Sequence, residues 1–190
     1  MRVRFHLDPG DLVFGNVARY VAWKGHEHVI EAAAMILNEH TNARFLLCGQ
    51  GALRPSMEAL ARELGVSHRI SFIDRIEPQE MASFYGLLDC YLHAATLEPF
   101  GLVYAEAMMN GIPVVSTRTG AAQDAITDGV NGILVDEASG RALAEGVFRL
   151  LKSDRKALGA AGRRTAMDMY TFERMWSGTN SLYQLALSSR

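Results

Sequence analysis

The chain is expected to be α/β, a parallel sheet of about six strands with helices on both faces and a helical C-terminal tail. Two observations predict it. Short apolar runs alternate with segments of helical periodicity along the 190 residues. The runs are also continuous rather than alternating apolar with polar, as in strands buried on both faces. The architecture these features describe is a Rossmann-like three-layer sandwich.

The elements follow in order. Leu12–Val17 reads as the first strand, and a helix follows with Val29, Ile30, Ala33, Ile36 and Leu37 on one face. Phe45–Cys48 is the second strand; the next helix carries Met57, Leu60, Ala61 and Leu64 and stops at Gly65. Ile70–Phe72 is a third strand. Pro78 suits the first turn of a helix with Met81, Phe84, Tyr85 and Leu88 inward. Cys90–His93 is the fourth strand and leads through a loop to a helix that Asn110-Gly111 ends. Pro113–Thr117 is the fifth strand. A Gly120 loop, a short helix near Asp124–Ile126 and a strand at Gly132–Val135 come next. Leu143, Val147, Leu150 and Leu151 stripe one helix, and Ser153-Asp154 caps another. A last helix from about Thr171 to Leu187 has Met175, Thr179, Leu182, Tyr183 and Ala186 on one side. Residues 1–10 are expected to be a linker, and 11–190 one domain.

Bulk properties narrow the function. With 19 basic and 21 acidic residues, there is no cationic excess to track a nucleic-acid backbone. No apolar run approaches a membrane span, and no secretory signal is visible at the start. Cys48 and Cys90 are too few for a disulfide framework or a metal site of their own. The expected setting is cytoplasmic, a peripheral position at the inner face of the cell membrane included.

The most informative residues are Glu98 and Glu106, with seven residues between them. The first lies in a loop before a helix and the second inside that helix. Free N–H groups at Phe100, Gly101 and Leu102 and the helix dipole favour an anion beside Glu98. A ligand with a phosphate in the middle and hydroxyls at both ends, such as a nucleotide sugar, fits that layout. Glu106 stands among Ala105, Ala107, Met108 and Met109, which predicts partial burial.

In parallel sheets, ligands gather at the carboxyl ends of strands. After the first strand, Arg19 and Lys24 are cations able to reach a diphosphate. After the second, Gly49 and Gly51 permit close backbone approach, to a ligand or in a plain tight turn. Arg54 stands where a dinucleotide fingerprint needs its third glycine, which disfavours a nicotinamide enzyme. After the third strand, Arg75 faces base, phosphate or solvent. No metal site is expected: no Asp-x-Asp occurs, and the six histidines have no ligand spacing.

Taken together and in order, these segments resemble a known family. They are Ala18-Arg19 with Lys24-Gly25, Cys48–Gly51, Arg69–Phe72, Glu98–Leu102 with Glu106–Met108, Gly111–Val115 and Asp128–Gly132. The chain resembles the carboxyl-terminal, donor-binding half of a family 4 retaining glycosyltransferase of GT-B architecture. The resemblance implies that Arg19 and Lys24 bind the donor diphosphate, Glu98 the sugar hydroxyls and Glu106 the nucleotide ribose. It implies backbone contacts from Phe100, Gly101 and Leu102 to phosphate and sugar. It also puts the base at the main chain of Ile70, with Arg75 in the same pocket. The donor would be a UDP-, GDP- or ADP-sugar, with no further cofactor. The partner would be an amino-terminal acceptor domain absent from this chain. Departures are Ala94-Ala95 for Pro-Ser, Asp74 for glycine, and Ala121 and Asp124 for glycine and glutamate. A non-catalytic nucleotide-sugar binding module and a sugar-nucleotide epimerase of the same architecture are the alternatives.

Overall fold

The structure is a computed structural model that describes residues 1–188. Six parallel strands form one sheet in the order β3-β2-β1-β4-β5-β6. They are β1 (Leu12–Val17), β2 (Ala43–Cys48), β3 (Ile70–Ile73), β4 (Cys90–His93), β5 (Val114–Thr117) and β6 (Ile133–Val135). Between and after them run α1 (His26–Glu39), α2 (Arg54–Glu63), α3 (Met81–Tyr85), α4 (Leu102–Met109), α5 (Gly120–Ala125), α6 (Gly140–Lys152), α7 (Arg155–Met169) and α8 (Phe172–Ser188).

Strand alternation divides the core into two layers. Phe14, Phe45, Leu47, Leu92, Val115 and Ile133 face α1, α2 and α6. Val13, Leu46, Tyr91, Val114 and Leu134 face α3, α4, α5 and α7. Phe14 and Phe45 stack across β1 and β2, with ring centroids 5.1 Å apart. Both faces of the sheet are thus covered, which is why the strands read as unbroken apolar runs.

Four local expectations differ from the structure. Residues 1–10 pack instead of linking: Arg2–Phe5 form a 3-10 turn, Phe5 and Leu7 are buried, and the Phe5 ring meets Phe84 edge-on. Leu64 ends up exposed, outside the buried side of α2. The helix expected near Asp124 begins earlier, at Gly120, because the Thr119 side chain accepts from the Ala122 N–H and caps it there. The apolar stripe of α8 is present, but none of that helix's residues is buried.

Strand order reverses between β1 and β4. Their ladder pairs only Phe14 with Cys90 and Gly15 with Tyr91. Beyond it, the buried Asn16 side chain donates to the Leu92 carbonyl at 2.8 Å. The main chains part above that point and open a crevice at the carboxyl edge, where open α/β sheets hold their ligands.

Candidate functional site

A cleft of about 450 Å³ occupies this crevice, bounded by the loops that leave β1, β2, β3 and β4. A larger hollow of about 620 Å³ lies between α1 and residues 64–69. Its walls lead into β2 and β3 rather than out of them, so it is at the other end of the sheet from the crevice.

The β1 loop supplies both cations. Tyr20 anchors it: its ring is buried, its hydroxyl donates to the Leu47 carbonyl at 3.3 Å, and it stacks on His26 at 4.0 Å. Arg19 projects into solvent at the cleft wall, and among the described residues its guanidinium has no hydrogen-bond or ion-pair partner. Lys24 ends the 3-10 turn Ala22–Lys24 and is largely enclosed. Its Nζ lies 2.5 Å from Glu98 Oε2.

Glu98 is the centre of the site. Only 8% exposed, its Oε2 also accepts from His93 Nε2 at 2.9 Å, and its Oε1 accepts from the Gly101 N–H at 3.3 Å. The hydrogen bond from His93 foremost, and that from Lys24, hold its carboxyl down at about 2 against the opposing effect of burial. Glu98 is therefore ionised at neutral pH and can only accept hydrogen bonds.

Gly101 stands before the first turn of α4 in the left-handed region, with φ of 70°. Because α4 starts at Leu102 and Glu98 takes the Gly101 N–H, the first-turn donors facing the cleft are shifted one residue from the expected set. Leu102 stays in that set and Val103 joins it, while Phe100 and Gly101 leave it. Phe100 still lines the cleft, with 82% of its surface exposed.

Glu106 is exposed rather than partly buried. Its apolar neighbours Ala105, Ala107 and Met108 turn to the core, while Glu106 itself faces out one turn beyond Leu102. It is still held, because Tyr85 Oη donates to its Oε2 at 2.8 Å. Burial raises the Tyr85 hydroxyl's pKa, so it stays a donor. Met81, one turn before Tyr85 in α3, lines the cleft, whereas neither Tyr85 nor Glu106 is part of its lining.

The remaining expected residues divide. Gly49 lines the cleft and Gly51 does not. Both serve loop packing: a Cβ at Gly49 would overlap the Ala18 carbonyl, and one at Gly51 the Tyr20 carbonyl. Arg75 lines the cleft with its side chain exposed and paired to Glu77 at 3.4 Å. Ile70 is misplaced as a base contact. It pairs with Phe45 at the start of β3 and is buried in the α1-side core, three residues short of the carboxyl edge. Main chain at the rim there comes from Asp74, Arg75 and Ile76. Asp74, standing where the resembled family has glycine, pairs with Arg54.

His93 was not anticipated. It sits at the end of β4 with no exposed surface. Histidine spacing carries no hint of it. The available signal is its place at the carboxyl end of a buried strand, five residues before a glutamate.

The fold is thus an α/β domain with a crevice at the reversal of its parallel sheet, lined by three cations, an ionised carboxylate and a helix tip. The chain belongs to the glycosyl transferases group 1 family, whose family model matches residues 2–165. It is 36% identical over 156 residues to a D-inositol 3-phosphate glycosyltransferase from Corynebacterium urealyticum, spanning 78% of this chain and 37% of that protein. Sucrose-phosphate synthase from Thermosynechococcus elongatus matches all of this chain and 49% of its own, with a TM-score of 0.89 and 27% identity. The C-terminal domain of a group 1 family glycosyl transferase (LpcC) from Francisella tularensis has a TM-score of 0.80 and 26% identity, with 90% of this chain and 91% of that one covered. The chain thus spans less than half of the first two proteins and nearly all of the third.

Proposed function

We propose that the cleft binds a nucleoside diphosphate sugar and that the chain is the donor-binding half of a retaining glycosyltransferase. The observation that carries this reading is the contact between Lys24 and Glu98 beside the first turn of α4, with Arg19, unpartnered among the described residues, on the same wall. The cations and the helix tip suit a diphosphate, and the carboxylate suits sugar hydroxyls. Glu106 suits a ribose.

The chemistry follows from where charge develops. Breaking the bond between the anomeric carbon and the diphosphate oxygen leaves negative charge on the leaving group. Arg19, Lys24 and the N–H groups of Leu102 and Val103 meet that charge with fixed donors, and no metal is required of this wall. Glu98 orients the sugar by accepting hydroxyl protons and does not act as nucleophile. Retention of configuration is carried over from the family resemblance. The acceptor binds a second, amino-terminal half in a cytoplasmic or membrane-peripheral setting.

Calorimetry with UDP, GDP and ADP tests the reading. One nucleotide is expected to bind, and Lys24→Ala and Glu106→Ala are each expected to weaken it by about tenfold while the melting temperature is kept. Unchanged affinity in both variants would mean that the nucleotide lies elsewhere.

A further inference from the structure

Glu98 Oε2 has two donors, Lys24 Nζ and His93 Nε2. On the donor reading just proposed, Lys24 must give its charge to a diphosphate when ligand enters. Glu98 would then keep the Gly101 N–H on one oxygen and His93 on the other.

The histidine is built to stay. Its ring lies parallel to Tyr91, at 17° and 6.0 Å, and Tyr104 meets it edge-on at 5.2 Å. Tyr91 is itself buried, and its hydroxyl lies 3.3 Å from His93 Nδ1 and 3.1 Å from the Val17 carbonyl. Glu98 is an acceptor only, so the Nε2 facing it carries the proton. The tautomer is assigned by that bond. Burial keeps the ring from taking a second proton, and its pKa is lowered. A neutral donor packed between two buried rings thus sits beside a carboxylate whose other partner is a long, flexible lysine side chain.

We propose that His93 is a positioning residue for the donor sugar, its Nε2–H fixing the Glu98 carboxylate in the sugar-accepting orientation after Lys24 turns to the diphosphate. It touches no ligand and acts only through Glu98. Its contribution therefore belongs to the sugar and not to the nucleotide.

The test compares three pairs by calorimetry: UDP with UDP-glucose, GDP with GDP-mannose, and ADP with ADP-glucose. His93→Leu and His93→Asn both withdraw the donor from Glu98, and Asn retains polarity should the leucine variant fail to fold. His93→Gln keeps an amide N–H within reach of the same position. In the wild type, the sugar is expected to raise affinity over the bare nucleotide in one pair. The leucine and asparagine variants are expected to lose about tenfold on the nucleotide sugar and less than about twofold on the nucleotide, and the glutamine variant is expected to restore most of the loss. A purely structural histidine would lower both affinities together, which overturns the inference, as does a sugar gain that survives in His93→Asn. If the wild type binds no member of any pair, or gains nothing from the sugar, it is the donor reading itself that falls.

Discussion

His26 offers the sharpest test of how the cleft wall is held. It opens α1 directly after the β1 loop, is 2% exposed and stacks on Tyr20. Its Nε2 has no hydrogen-bond partner among the described residues. Burial first, and then the nearby His93 and Lys24, hold its pKa at about 4, below the ordinary 6.5. Between those values the unfolded chain takes up a proton that the folded chain refuses. Stability is therefore complete above about pH 6.5 and is lost as pH falls toward 4. At pH 5 the difference in proton binding costs about 2 kcal/mol, against a few tenths at pH 7. His26→Phe keeps a ring against Tyr20 and removes the titration. Guanidinium unfolding at pH 7.5 and 5.0 should show the variant gaining about 2 kcal/mol on the wild type in acid. The lost interaction with the Ala18 backbone is a constant offset and cancels between the two pH values. A wild type–variant difference that does not change with pH would refute a buried, neutral His26.

Gly49 has a φ of 156° and no room for a Cβ against Ala18, so Gly49→Ala should destabilise by about 3 kcal/mol; thermal unfolding within about 1 °C of the wild type would contradict that. Tyr85→Phe should release Glu106 and, on the donor reading, cost several-fold in nucleotide affinity by calorimetry, at roughly 1 kcal/mol for one hydrogen bond. Truncation after Thr171 removes a helix with no buried residue, so the melting temperature should move by less than about 2 °C. A fall of more than about 5 °C would mean that α8 contributes to the core.

The layered fold was legible because its strands are buried on both faces, which leaves runs such as Phe45–Cys48 unmistakable. Arg19, Lys24 and Glu98 are legible as neighbours because the strand ends converge whatever the details of the loops, and all three line the cleft. Ile70 was misjudged because its role depends on strand length. The ladder runs on to Ile73, and that register is invisible in a stretch as short as Ile70–Phe72. Glu106 was misjudged because an all-round apolar helix does not reveal which position faces outward. His93 is only faintly legible, because its meaning is a contact made across a turn, and its place five residues before a glutamate at a strand end is a weak signal of that. Phe5 and Leu7 lie in too short a stretch to display a period, yet the core takes them.

The four loops around the cleft are tied to one another through the main chain. Gly49 N–H donates to the Ile73 carbonyl, Ala18 N–H to Cys48, Tyr20 N–H to Gln50 and Thr96 N–H to Trp23. Such a series of amide ties behaves as one frame rather than as independent flaps, and lengthening any loop would unpick its neighbours as well. Divergent descendants of this chain could accordingly alter their preferred ligand by exchanging outward-pointing groups such as Arg75 or Phe100, far more readily than by redrawing the frame that carries them.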